Sequence, residues 1–364
     1  MKYLLLATTL ATCSLAQATT VQQQCLTDLA SLPDFLLTND TGAPDHLARH
    51  GQSHFDQAMN NAKNSIAEIQ TEAECDALIK GYLKAWRPGH LNIRPLNREA
   101  SDKASNTTSK SPQVKRLSAT TLYWSVPSFG YAQGKALEAL IKEHAPKLEG
   151  VENWIVDVRG NGGGNDDSYN ALLPYLLSGE TTEVSLEFLS TPVNIEAMET
   201  LCQRFMDNDP GCVTMVKPMI ARLKGVPSGE YVQLGDESIS YQAAPERPDH
   251  APSKVAVLVD GGCASSCEQF LLRVKQSFKV KLVGRSSYGA LDYSNIRPHA
   301  LPSGKRELFY ATSRSLRLPY QPVDIAGIAP DIYLPKPKDD QDKDAEVIQV
   351  QRWLEGGSLR PGAK

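Results

Sequence analysis

Apolar positions recur along this chain with two different periods, and the change from one to the other divides it. Between 25 and 87 they fall at helical spacing: Leu26, Leu29, Leu36 and Leu37, then Phe55, Met59, Ala62, Ile66 and Ile69. A third run, Leu78, Ile79, Tyr82 and Leu83, ends at Arg87-Pro88-Gly89-His90. These runs predict a small helical cap domain over 19–96. Residues 97–116, NREASDKASNTTSKSPQVKR, hold few apolar side chains and read as a polar linker. From 117 onward, strand-type runs alternate with helical ones. Strands are predicted at 121–126, 153–158, 230–234, 255–259 and near 280–284, 305–312 and 331–334. Helices are predicted at 131–144, from 169 to 177, and over 196–224. A further helical face carries Phe270, Leu271, Val274 and Phe278, and a last helix covers 343–354. Such alternation predicts an α/β core with a mostly parallel sheet over 117–340, followed by a C-terminal helix and tail over 341–364.

The first residues follow another logic. Met1-Lys2 precedes YLLLATTLATCSLA and then Ala16-Gln17-Ala18, which gives a basic start, an apolar run and a small-x-small cleavage site. The reading is an export signal over 1–18, cut after Ala18, with the mature chain periplasmic or secreted. Lipid attachment at Cys13 is the weaker alternative, because Thr12 precedes it. Loss of Cys13 leaves Cys25, Cys75, Cys202, Cys212, Cys263 and Cys267, an even set that suits disulfides in an exported chain. Pairing by sequence neighbours gives Cys25–Cys75, Cys202–Cys212 and Cys263–Cys267. No Cys-x-x-Cys pair offers a common zinc site. His46, His50 and His54 share a helical face, but Gly51 interrupts it and no carboxylate completes a ligand set, so a solvated face is expected. No metal and no cofactor are therefore expected. A net charge of −4 argues against a nucleic-acid partner, and no stretch after the signal is long and apolar enough to span a membrane.

Two stretches carry candidate chemistry. In NWIVDVRGNGGGN (153–165), three adjacent glycines after an apolar strand turn backbone N–H groups toward a bound anion or oxyanion. No Gly-Lys-Ser/Thr follows, so a phosphate loop is not indicated. In VAVLVDGGCASSCEQF (255–270), Ser265 stands at the mouth of a helix whose free N–H groups suit an oxyanion. Ser265 and Glu268 also spell a capping box, which needs no chemistry, and that alternative stays open here.

Together with LVGRSSYGA (282–290), these stretches resemble the tail-specific (C-terminal processing) serine peptidase family over about 120–335. The resemblance implies a crotonase-like α/β core and a nucleophile three residues before the motif glutamate, which is Ser265 before Glu268. Where the best-known branch has a lysine base, Ala290 follows Gly289, and there is no room for a PDZ domain, so a Ser-Lys dyad is excluded at that position. A second branch, typified by the core of tricorn protease, takes its base from a histidine ahead of the core. Its motif is similar to Pro88-Gly89-His90-Leu91-Asn92-Ile93, and its late acidic motif resembles residues 324–331 with Asp in place of Glu. This implies His90 as the base that activates Ser265 and Asp324, or else Asp292, as the acid that orients it. Oxyanion donors would be the N–H of Ser266 and one from Gly162 or Gly163. The expectation is an exported serine hydrolase, most readily a peptidase, acting on a peptide or protein through an acyl-enzyme. An esterase or amidase shares that chemistry, and a catalytically vestigial binding protein on the same fold is the alternative.

Overall fold

The computed structural model describes residues 12–96, 111–233 and 235–359, with side chains from residue 20. The side chains of the expected signal and residues 97–110 of the expected linker lie outside it. Helices α1 (Thr12–Asn39), α2 (Ala43–His50), α3 (Gln52–Asn64) and α4 (Glu72–Trp86) form the cap. Thr71 starts α4 through a reciprocal cap, accepting from the Glu74 N–H while the Glu74 carboxylate accepts from the Thr71 N–H. The inward faces bury Leu29, Leu32, Leu36, Phe55, Ile79 and Trp86, and the Cys25–Cys75 bridge joins α1 to α4.

After the cap come β1 (Asn92–Pro95), β2 (Gln113–Arg116), β3 (Thr121–Ser125), α5 (Tyr131–His144), β4 (Asn153–Asp157), β5 (Thr181–Val184) and β6 (Leu186–Leu189). Helices α6 (Pro192–Glu199) and α7 (Pro210–Lys224) follow, with a short helical turn at Leu201–Phe205 between them whose Cys202 is bridged to Cys212 at the head of α7. Then come β7 (Tyr231–Gln233), β8 (Ile239–Gln242), β9 (Lys254–Val259), α8 (Ser266–Val274) and β10 (Val280–Gly284). Strands β11 (Tyr293–Ala300), β12 (Arg306–Ser315) and β13 (Ile332–Tyr333) and helix α9 (Asp340–Leu354) complete the order.

The core sheet runs β13-β10-β9-β4-β3-β2 and is parallel except for β2, which pairs antiparallel with β3. Side chains alternate across it with period two. Trp124, Trp154, Val156, Val255, Val257 and Leu282 face α5, α8 and the 166–177 segment. Ile155, Ala256, Leu258 and Val283 face α9. Strands β4 and β9 are thus buried on both faces, which is why their sequences read as unbroken apolar runs.

A second sheet, entirely antiparallel, runs β1-β12-β6-β7 with β11 on β12. The expectation of a mostly parallel sheet therefore holds only for the core. The cap is not closed by itself, because its apolar cluster takes in Ile93, Leu308 and Tyr310 from this second sheet. The expected linker ends early, since Gln113–Arg116 form the edge strand β2. The predicted helical face at 270–278 also stops short. Helix α8 ends at Val274 because the chain must turn to pair β10 with β9, and Phe278 is left 81% exposed.

Candidate active site

Strands β4, β9 and β10 are neighbours, and the loops leaving their C-terminal ends, 158–165, 260–265 and 285–292, meet at one edge of the sheet. In open parallel sheets that edge is where ligands bind. Side chains tie the three loops together. Asp260 Oδ1 accepts from the N–H groups of Gly160 (2.8 Å) and Gly262 (2.9 Å). Asn161 is fully buried; its Nδ2 donates to the Val126 carbonyl at 2.9 Å and its Oδ1 accepts from the Gly163 N–H at 2.9 Å. The Asn161 carbonyl accepts from the Ala264 N–H at 3.1 Å.

Ser265 sits between β9 and α8 with φ +58, a backbone state that costs a non-glycine residue roughly 1–3 kcal/mol. Its surroundings hold it there. The Ser265 N–H is shared between the Ala290 carbonyl and Glu268 Oε2, each at 3.1 Å. Glu268 is fully buried and also accepts from the Ser287 hydroxyl (2.5 Å) and from the N–H groups of Gly289 (2.7 Å) and Ala290 (2.9 Å). The Ser-x-x-Glu spacing thus does more than begin a helix: the same carboxylate fastens the serine turn to the loop after β10. The Cys263–Cys267 bridge, its Cα atoms 5.4 Å apart, closes the turn from the other side. All three cysteine pairings expected from the sequence are formed.

The glycine loop runs directly against this turn. A Cβ on Gly163, where φ is +94, would lie 2.6 Å from the Ala264 oxygen and 2.8 Å from Ser265 Cβ. Of the expected oxyanion donors, the Gly163 N–H is taken by Asn161, whereas those of Gly162 and Ser266 have no acceptor among the described residues.

His90 reaches the site from the turn between α4 and β1, with φ +41. Arg87 shapes that turn. It is buried in a bidentate pair with Asp40 (2.6 and 3.2 Å) and donates to the carbonyls of Gly89 (2.8 Å) and His90 (3.1 Å). Gly89 packs on Ala290, where an added Cβ would come within 2.9 Å of the alanine methyl. The Ala290 carbonyl in turn accepts from the Ser265 N–H, so the Gly89–His90 turn and the Ser265 turn pack on the same segment, and no hydrogen bond between the His90 and Ser265 side chains occurs among the described residues. His90 Nδ1 lies 2.7 Å from the Tyr293 carbonyl. A carbonyl only accepts, so Nδ1 carries the proton and Nε2 presents its lone pair. Burial, aided by the Arg87 charge, pushes the imidazole down to about 4 and keeps it neutral.

The acids stand elsewhere. The hydrogen bond expected from Asp324 to His90 is not formed among the described residues. Asp324 Oδ1 accepts instead from the N–H groups of Leu291 (2.6 Å) and Asp292 (2.7 Å). Asp292, the alternative acid, accepts on Oδ2 from Val323 (2.6 Å) and Asp324 (2.8 Å). The reason is steric and electronic: a backbone carbonyl has already claimed Nδ1, and each carboxylate is drawn to a pair of backbone donors. The two acids clasp the chain just ahead of Tyr293. Burial pushes Asp324 up to about 6.

The histidine row is also different from expectation. His46 is buried, with its proton affinity lowered to about 4 by burial, while His50 and His54 are exposed. The rings lie 5.8 and 5.3 Å apart, centroid to centroid. No group of residues suited to a metal ion occurs among the described residues. Sequence reasoning missed Arg87, Asp40, Asn161 and the Tyr293 carbonyl. Asn161 was visible as a lone amide inside a glycine run; Tyr293 acts through its backbone and left no signal.

Comparison with known proteins gives three results. The model of Peptidase family S41 matches residues 120–334, more than half of the chain. No curated protein matches. Among solved structures, mature CPAF superposes with a TM-score of 0.61 at 11% identity, covering 94% of this chain and 99% of that one. Mature CPAF complexed with lactacystin gives 0.61 at 10% identity over 92% and 98%. A candidate peptidase from Parabacteroides merdae gives 0.53 at 14% identity over 93% and 96%. At these identities the likeness is one of fold.

Proposed function

The chain belongs to peptidase family S41, a family of serine-type peptidases, and from that premise we propose that it hydrolyses peptide bonds through Ser265 and His90. His90 Nε2 takes the Ser265 proton, Oγ attacks the peptide carbonyl, and the protonated imidazole returns the proton to the leaving amine. Water then resolves the acyl-enzyme with the same base. The N–H groups of Ser266 and Gly162 hold the oxyanion, each worth about 3–4 kcal/mol in the transition state. The Tyr293 carbonyl, rather than Asp324, orients the imidazole; Asp324 and Asp292 act as positioning residues that set the Tyr293 backbone.

We read the core as crotonase-like, supported by the parallel strand–helix repeats, and the mature chain as exported, supported by three disulfides. No helix among the described residues is long and apolar enough to cross a membrane.

The observation that supports the reading most is a strained Ser265 at the start of α8, fastened to the 289–290 segment on which the turn of a tautomer-fixed, neutral His90 also packs. A second reading, a binding protein on the same fold, draws on the lack of a carboxylate against His90. Fluorophosphonate labelling separates them. The peptidase reading expects label on Ser265 that is lost in Ser265→Ala and His90→Ala. A folded wild type that takes no label makes the chain a binder.

A further inference from the structure

Of the four residues that α9 buries, Val347, Val350 and Leu354 are apolar and the other is Glu346. The three apolar side chains pack on Ile155, Ala256, Leu258 and Val283, on the sheet face opposite α5 and α8. Glu346 instead meets two arginines: its Oε2 accepts from Arg159 Nη1 at 2.6 Å and its Oε1 from Arg285 Nη1. Arg159 stands just ahead of the glycines that follow β4, and Arg285 opens the loop that follows β10. We propose that Glu346 is a positioning residue, which sets the spacing of these two loops around Ser265 from the far face of the sheet. That role presupposes the serine-hydrolase reading above.

Strands β4 and β10 are not neighbours, since β9 lies between them. Ladder hydrogen bonds fix each of the two against β9 and leave their loops without a direct link across it; the Glu346 carboxylate spans that gap. Asp157 takes the other edge of the Arg159 guanidinium (2.9 and 2.5 Å), and the Tyr123 hydroxyl donates to Asp157 at 2.8 Å, so this arginine is held in one orientation. Arg159 Nη1 also donates to the Lys343 carbonyl and Arg285 Nη1 to that of Pro335, each at 3.2 Å. Three residues beyond Arg159 comes Gly162, the proposed oxyanion donor. Five beyond Arg285 comes Ala290, whose carbonyl accepts from the Ser265 N–H. A shift of either arginine therefore passes along a few peptide bonds to the nucleophile or to its donor.

Docking α9 does not call for this charge. Exchanging a buried ion-pair network for well-packed apolar residues is often neutral or stabilising, so stability alone is a weak reason for a carboxylate here. An apolar side chain would seat the helix equally well. It could not hold two guanidinium groups at fixed distances and angles, as charge-assisted hydrogen bonds do.

Saturation kinetics of fluorophosphonate labelling test the role. Glu346→Gln leaves one oxygen for two arginines and turns an NH₂ toward the other, so one loop is released. The maximal labelling rate per folded molecule should fall about tenfold to a hundredfold, as expected for a slightly misplaced donor or nucleophile. The half-saturating concentration and the pH midpoint set by His90 should stay the same, because the network does not touch the imidazole. Arg285→Met cuts the bridge at its more exposed end, where the side chain is 19% accessible, and gives the same loss should Glu346→Gln fail to fold. Val350→Ala is the control: it loosens the same helix through its apolar face, lowers Tm and keeps the wild-type rate. A rate within about threefold of wild type in folded Glu346→Gln or Arg285→Met, or an equal fall in Val350→Ala, makes the network structural only and overturns the positioning role alone. A folded wild type that takes no label instead overturns the serine-hydrolase reading, and this role with it.

Discussion

Glu268 is the point at which the site is most sensitive to a change of a single atom. Its two oxygens accept four donors: Ser287 hydroxyl and Gly289 N–H on Oε1, Ala290 N–H and Ser265 N–H on Oε2. In Glu268→Gln one oxygen becomes an NH₂ group. If the amide oxygen keeps Ser287 and Gly289, the NH₂ faces the Ala290 N–H, which loses its acceptor. If it keeps Ala290, the Ser287 hydroxyl can rotate, but the Gly289 N–H is orphaned. Either way one buried donor goes unsatisfied and two donors confront each other. An unsatisfied buried group costs about 1–3 kcal/mol, so the loss is roughly 2–5 kcal/mol with the charge-assisted bonds included. For a core of this size that is a fall in Tm of about 5–15 °C. Glu268→Leu, with no acceptor at all, should be worse. Differential scanning calorimetry gives the Tm and fluorophosphonate labelling the reactivity of Ser265; both should fall, in the order Glu, Gln, Leu. A Glu268→Gln protein within about 2 °C of wild type, labelled at the same rate, would refute the role of this carboxylate.

Other outcomes follow from the same geometry. Because burial depresses His90 to about 4, its native form binds fewer protons than an unfolded histidine with pKa near 6.5. Its contribution to stability is therefore intact above pH 6.5 and is lost as pH falls toward 4. The acid limb of the labelling rate should lie near pH 4–5, and a midpoint at 6–7 in a pH–rate profile contradicts the burial. Arg87→Met strands Asp40 as a buried charge, which typically costs about 3–5 kcal/mol, and frees the Gly89–His90 turn. Urea unfolding should show the loss, and Arg87→Met with Asp40→Asn should recover part of the stability but not the labelling rate. Removing the Cys263–Cys267 bridge by a double alanine substitution should cost about 2 kcal/mol from loop closure and slow labelling at Ser265. Unchanged labelling would show that Glu268 alone holds the turn.

Local pattern made part of this molecule legible. Helix α5 occupies the residues its 3.6-residue period marks, and β10 falls on the residues foreseen, an apolar run that pairs with β9 along its whole length. Ser265 could be singled out because a strand, two glycines and a helix start meet there. The strand at β12 was foreseen but its pairing with β11 was not: β12 is buried along most of its length, so its alternation is hidden, and β11 contains Pro298. Asp324 was placed on His90 because a motif gives order along the chain but not direction in space. The side chain found two backbone donors closer at hand, and a carbonyl, which has no sequence identity, took the ring. Phe278 followed the helical period past the point at which β10 required the chain to turn.

His90 is carried by the turn into β1, in the antiparallel sheet, whereas Ser265 hangs from the parallel one. The substrate nearest to any newly made peptidase is its own unfinished copies. A chain that has formed only its parallel core holds a serine without a base, and one that has formed only its cap holds a base without a serine. On the proposed mechanism, activity therefore waits until both sheets are formed and docked.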